Sequence, residues 1–328
     1  MKKIVLLVSI LLMASVLFAA CAPAAPAAPA APAAPAEEAA PAEEAAPAEE
    51  AAPAEKRVVG VSLYTREHTF YNMLEEAITA EAEELGYELI VMDANQDTNT
   101  QINQVQDFIT QEVDAMVLCP TNSAGIAPAI ELANKAGIPI FTMDIAAESG
   151  VVSHVATDNK TGGVLAGEYA AKVLDGKGQV AIIACPGIES VTMREEGFKE
   201  AVAKYPDMEV VQVTNCECDG EKAANQTQDL LISFPDLKLV FGAGDPFALG
   251  ALASITAAGR EVYVIGFDGL PEGVAEVKKG GLFLADIAQN PDEIGRTTLV
   301  MIDKYLNGET VEPLIGIAPY VIDKTNVE

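Results

Sequence analysis

The sequence predicts an α/β protein of two successive doubly wound lobes, each a parallel sheet flanked by helices. Three observations predict it. From Lys56 onward short apolar runs alternate with amphipathic stretches, and the alternation begins afresh after Val151 to Thr157. Residues 56–328 are also enough for two lobes of ordinary size, each with its own core.

Taken in order, Val58 to Leu63 is a strand candidate. It is followed by a helix whose apolar positions Phe70, Leu74, Ile78, Ala82 and Leu85 keep spacings of three to four and stop at Gly86. Leu89 to Met92 is the next strand. Ile102, Val105 and Ile109 mark a helix, Ala115 to Leu118 a strand, Ile126, Ile130 and Ala133 a helix closed by Gly137, and Ile138 to Met143 a strand. Such a rhythm implies right-handed βαβ crossovers and hence parallel strands. After Val151 to Thr157 come a helix near Val164 to Leu174, strand Val180 to Ala184, helix Glu195 to Lys204 and strand Val210 to Val213. Helix Ala223 to Ser233, strand Leu239 to Gly242, helix Ala248 to Ala258 and strand Val262 to Gly266 complete the second series.

The first 55 residues belong to a different kind of chain. Lys2 and Lys3 precede the apolar run Ile4 to Phe18, too short to span a bilayer comfortably, so residues 1–20 read as a secretion signal. Phe18-Ala19-Ala20-Cys21 resembles a bacterial lipobox, with Phe18 where Leu is more usual, and Cys21 is the expected site of lipidation. The alternative is an ordinary signal-peptidase site that Cys21 happens to follow. From Ala22 to Glu55 the chain repeats Ala-Pro and Ala-Glu-Glu-Ala-Ala-Pro, with no branched or aromatic residue to bury, so residues 21–55 form an anchor and an extended, unfolded stalk.

The formal net charge is -29, with seven carboxylates in the stalk. A field of that sign repels phosphate backbones and anionic lipid, which excludes nucleic acid as a partner and leaves the lipid anchor as the only membrane attachment. Beyond Cys21 there are four cysteines, Cys119, Cys185, Cys216 and Cys218, an even number for an extracytoplasmic chain, but their spacing indicates no particular pairing. Neither a metal nor a cofactor is expected. The two histidines, His68 and His154, give little acid-base capacity, and Gly242 to Phe247 fails the dinucleotide pattern at its third glycine. There is no phosphate-binding loop and no nucleophile elbow, so an enzyme is not expected.

In doubly wound sheets ligands sit beyond the carboxyl ends of the strands. Those ends supply Tyr64 through Tyr71, Cys119, Asp144, a loop ending in Arg194, Cys218, Gly244, Asp268 and Gln289. Carboxylates accept hydroxyl protons, a guanidinium donates through a planar fork, an amide does both, and aromatic faces cover the C–H side of a sugar ring. The same residues have purely structural uses: Phe70 and Tyr71 as helix anchors, Asp144 and Asp268 as turn caps, Arg194 as a partner of Glu195, Glu196 or Glu200.

At these positions residues 56–328 resemble the ribose-binding group of periplasmic substrate-binding proteins. The motifs are Thr69-Phe70-Tyr71, Glu84-Leu85-Gly86-Tyr87, Cys119-Pro120-Thr121, Val151 to His154, Asp158-Asn159 with Gly162-Gly163, Arg194 before Gly197-Phe198, Ala248 to Leu252, Gly266 to Gly269, and Ile287-Ala288-Gln289. The resemblance implies a type I venus-flytrap fold crossed three times by the chain, near Thr157-Asp158, Gln289-Asn290 and Ile317-Ala318. It divides the body into a first lobe of 56–157 with 290–317 and a second of 158–289 with 318–328. It implies ligand contacts from Tyr64, His68, Phe70, Tyr71 and Asp144 on the first lobe, and from Arg194, Asp268 and Gln289 on the second lobe or last hinge. His154 is expected to bond in the hinge.

His68 stands where the ribose-type pattern has an asparagine near the start of the first helix, and four further positions depart from it: Cys119 and Gly244 replace asparagines, Ile145 replaces an arginine, and Cys218 stands where an aromatic is expected. All four are expected to line the pocket, which loses hydrogen bonds and half of an aromatic sandwich. The function implied is capture of a sugar or polyol other than ribose by a monomeric lipoprotein that hands it to an ABC permease and its ATPase. The alternatives are presentation of the ligand to a chemoreceptor or histidine kinase, or a non-sugar ligand. A repressor on the same two-lobed core is excluded by the signal and stalk ahead of it.

Overall fold

The computed structural model describes residues 56–327. The signal, Cys21 and the stalk lie outside the described residues, and so does Glu328.

The chain opens with β1 (Val58–Leu63), α1 (Thr69–Leu85), β2 (Glu88–Asp93), α2 (Thr98–Thr110), β3 (Ala115–Leu118), α3 (Ala127–Ala136), β4 (Ile140–Met143) and β5 (Ser153–Thr157). Gly86 and Gly137 end α1 and α3 in the left-handed conformation, where a residue without a Cβ is cheapest. Asp97 caps α2 by accepting from the Thr100 amide at 2.6 Å. Strands β3 and β4 are wholly buried, as central strands covered on both faces must be. Alternation along β3 divides the core: Val117 joins Leu74, Ile78 and Phe141 on one face, while Met116 and Leu118 join Val105, Phe108 and Ile130 on the other.

Next come α4 (Asn159–Val173), β6 (Lys177–Ala184), α5 (Glu189–Val202), β7 (Asp207–Asn215), α6 (Gly220–Ser233), β8 (Leu237–Gly242), α7 (Asp245–Ala257) and β9 (Tyr263–Asp268). Beyond the strand ending near Gly266 the periodicity assigns nothing. There the structure adds α8 (Pro271–Lys279), β10 (Phe283–Ala288), α9 (Pro291–Leu306), β11 (Leu314–Ile317) and β12 (Tyr320–Asp323).

The twelve strands make two six-stranded sheets, ordered β11-β5-β4-β3-β1-β2 and β12-β10-β9-β8-β6-β7. Every pairing is parallel except β12 with β10. The order reverses between β1 and β3 in one sheet and between β6 and β8 in the other, the switch points at which doubly wound sheets open a crevice. The chain passes between the sheets after β5, after β10 and after β11, so the last two strands belong to different sheets.

One boundary is corrected with consequence. Helix α5 starts at Glu189, not Glu195, so Arg194 lies in its second turn and not at the end of a loop. Val191, Arg194, Phe198 and Ala201 form one buried stripe. A guanidinium at an inward position interrupts the apolar period by which a helix is read.

Candidate functional site

One cleft of about 560 Å³, counting its open mouth, lies between the carboxyl ends of the two sheets. Tyr64, His68, Phe70, Tyr71, Asp144, Arg194, Asp268 and Gln289 all line it, with Cys218 and Gly244.

On the first sheet's side, Tyr64 follows β1, and His68, Phe70 and Tyr71 begin α1. Tyr64 and Tyr71 stack at 5.1 Å between centroids, and Phe70 meets Tyr71 edge-on at 5.6 Å. Asp144 follows β4 with φ of 66°, held by its amide's 2.9 Å bond to the Val155 carbonyl. Strained backbone of this kind concentrates at functional sites. The turn continues with the Ile145 amide bonded to the Met143 carbonyl at 2.8 Å, which sends Asp144 into the cleft and Ile145 into the core.

Asp144 is 3% exposed, and its Oδ1 accepts no hydrogen bond from any described residue. Burial pushes its carboxyl up to about 7. Arg194 opposes that shift, Asp268 adds to it, and the Tyr71 hydroxyl bonded to it favours the charged form.

The second side is wired internally. Arg194 donates from Nε to Asn159 at 2.7 Å, and from Nη1 to the Ala243 carbonyl at 2.9 Å and to Asp268 at 3.0 Å. Its guanidinium carbon lies 3.9 Å from the Phe267 ring centre. Its partner is therefore Asp268, not Glu195, Glu196 or Glu200. A Cβ at Gly163 would collide with the Arg194 carbonyl, so glycine there lets α4 bring Asn159 up to the guanidinium.

Asp268, with φ of 127°, also accepts from Gln289 at 2.7 Å and from the Asp245 amide at 3.2 Å. Burial raises its carboxyl while Arg194 holds it down. Behind it, buried Asp245 and Asp286 accept from the Leu270 and Gly269 amides at 2.8 and 3.2 Å, fixing the turn that carries Asp268. Burial lifts Asp286 to about 7 and Asp245 well above the carboxylate range. Gln289 spans the chain crossing, its Oε1 accepting from Thr157 at 2.6 Å.

Three expectations are corrected. Cys119 and Ile145 do not line the cleft; they lie in the core behind it, 0% and 1% exposed. Cys218 does line the cleft, and it is bonded to Cys185, a pairing that cysteine spacing did not indicate, while Cys119 and Cys216 are free and buried. The second side also does carry an aromatic, Phe247, which lines the cleft with Ile188, Val191 and Leu270. Phe247 follows Gly244-Asp245-Pro246, a run at the end of a strand, so its position was available in the sequence. His154 accepts or donates at 2.9 Å to Thr142 on the neighbouring strand, away from the cleft, and burial lowers its ring to about 4. Among the described residues no group of three or more His, Cys, Asp or Glu is placed to hold a metal ion, and no helix is long and apolar enough to cross a membrane.

Two doubly wound lobes crossed three times by the chain, with a polar and aromatic cleft between them, are the type I periplasmic-binding architecture. Residues 59–310 match the periplasmic binding protein domain family, and the chain belongs to that family. The ribose import binding protein RbsB of Salmonella typhimurium is 36% identical over 271 residues, spanning 82% of this chain and 89% of the relative. The xylitol-binding protein of Mycolicibacterium smegmatis is 30% identical over 274 residues, 82% of this chain and 78% of that one. A solved ABC transporter solute binding protein from Mycobacterium smegmatis, with bound glycerol, aligns at a TM-score of 0.79 and 35% identity, over 83% of this chain and 96% of the other.

Proposed function

We propose that the protein is an extracytoplasmic solute-binding lipoprotein, without catalytic activity, that captures a sugar or sugar-like polyol for an ABC importer. The observation that carries this reading is Asp144. It is a buried carboxylate aimed into an aromatic cleft with one oxygen unpartnered, which costs on the order of 1–3 kcal/mol until a donor arrives. A ligand hydroxyl is such a donor. Tyr64, Phe70 and Tyr71 offer faces for the C–H side of a ring or chain, His68 closes the rim, and Arg194, Asp268 and Gln289 receive hydroxyls on the far side. Relatives named for ribose and xylitol support the ligand class.

The lobes are 56–157 with 290–317 and 158–289 with 318–328, and they open and close about the three crossings. Ligand touches both lobes only in the closed form, so binding shifts the population toward closure. A permease then reads the closed shape of a monomer held near the membrane by lipid on Cys21 and the stalk. Ribose itself is a poor fit: the arginine and asparagines of the ribose-type pattern are absent here, and the Ile145 side chain that replaces the arginine turns into the core.

A thermal-shift screen against pentoses, hexoses, polyols, amino acids and nucleosides tests the reading, since ligand at a hundredfold its Kd adds about 2.7 kcal/mol. A sugar or polyol hit lost in Asp144→Ala and Asp268→Ala is expected. A hit only among amino acids or nucleosides overturns the ligand class. Mass spectrometry of the membrane-extracted protein checks the anchor: diacylglycerol on an N-terminal Cys21 is expected, and its absence removes the lipoprotein assignment.

A further inference from the structure

We propose that the Cys185–Cys218 disulfide is a positioning element for lobe closure, holding the second-lobe loop that bridges to the first lobe across the mouth of the cleft. This rests on reading the cleft as a solute site that opens and closes.

Away from the three crossings, the hydrogen bonds between the lobes among the described residues converge on one first-lobe residue, Ser123, which lies between β3 and α3. The Ser123 amide donates to the Gly187 carbonyl, and the Glu189 amide donates to Ser123 Oγ, both at 3.4 Å. That is the long end of the hydrogen-bond range, fitting for contacts that break and re-form. The second-lobe partners belong to the segment from Cys185 to Glu189 that joins β6 to α5.

This segment also supplies Ile188 to the cleft wall and starts the helix that carries Arg194. Its first residue is tied to Cys218, with the two Cα atoms 5.1 Å apart, and Cys218 itself lines the cleft at φ of 58°. One covalent link thus fixes the bridging loop, part of the cleft wall and the approach to α5. At Gly187, with φ of 93°, an added Cβ would stand 3.2 Å from Asn122 Nδ2 of the opposite lobe. A loop that wandered would pay for closure in ordering entropy, and the disulfide removes that cost in advance.

Amide hydrogen exchange on ligand-free protein tests this, because Ser123 reports on the loop from the other lobe. In the Cys185→Ser, Cys218→Ser double variant the Ser123 and Glu189 amides are expected to exchange about tenfold faster, with the core amides of Val61 and Val240 unchanged. Gly187→Ala should speed Ser123 similarly while the disulfide stays intact. If the double variant does not fold, reduction of the folded wild type with dithiothreitol is expected to give the same result at Ser123. Unchanged Ser123 exchange on breaking the bond overturns the proposal, as does acceleration equal to that of the core amides, which would mark a merely structural staple. Calorimetric titration of wild type and variants with D-ribose, xylitol and myo-inositol separates the two readings. A ligand that binds wild type and binds the variants about tenfold more weakly supports positioning, and equal affinities overturn it. Failure of all three sugars to bind wild type counts against the sugar class alone, and the exchange result still decides the disulfide's role.

Discussion

The two walls of the cleft are built on opposite plans. On the second-lobe wall Arg194, Asp268, Gln289 and Asn159 satisfy one another at 2.7 to 3.0 Å, and a disulfide lies beside them. The first-lobe wall is a stack of aromatic rings around Asp144, whose Oδ1 has no described partner. One wall is wired internally; the other keeps an open acceptor that, on the proposed function, a ligand hydroxyl completes. Preorganised polar groups lower the cost of binding, while the unsatisfied one supplies the reason for ligand to stay.

The hardest blow to this contrast is Arg194→Ala. It leaves Asp268 buried beside Asp245 and Asp286 without a cation, and loss of about 3–5 kcal/mol in urea unfolding is expected, together with loss of ligand binding. The first-lobe carboxylate should behave the other way. Asp144 and Asp286 hold their protons up to about pH 7, whereas carboxyls of an unfolded chain lose theirs near 4. The native state therefore binds more protons than the unfolded state between those values, and stability of the ligand-free protein falls as pH rises from about 4 to 7. Asp144→Asn should flatten part of that slope and raise the melting temperature at pH 7.5, while abolishing binding. An equally steep slope in the variant would assign the pH response to the acids of the second lobe.

Tyr71→Phe is a finer probe. Removing the hydroxyl that favours charged Asp144 should shift the stability curve further up in pH, with an effect of about 1 kcal/mol by thermal melts across pH. Smallest is Asp219→Ala, which removes the cap accepting from Lys222 at 2.7 Å on the helix after Cys218. It should cost about 0.5 kcal/mol of stability with little change in affinity, separating the wall's rigidity from its local helix stability.

The alternation of strand and helix was readable up to Gly266 because β3 is apolar throughout, β6 carries the apolar run Val180 to Ala184, and α1 and α3 end in glycine. Beyond it, β11 and β12 are short edge strands with exposed Leu314 and Tyr320 and carry little pattern, whereas α9 has a buried stripe of Ile294, Thr298, Met301 and Ile302 that the sequence does display. Strand ends pointed to the cleft residues, since the topology itself places them there. Three features were hidden. Arg194 on a buried helical stripe erased the start of α5. The positive φ of Asp144, which decides that Ile145 turns away from the cleft, leaves no mark in residue type. The Cys185–Cys218 pairing needed two loops from different crossovers to be brought together.

The late return of the chain to both sheets governs when the molecule becomes itself. Strand β11 pairs with β5 across about 160 residues, and β12 closes the other sheet within the final nine residues of the sequence. Until those strands emerge, each sheet lacks an edge, and the third crossing does not exist. Neither lobe is therefore complete until residues far apart along the chain have met.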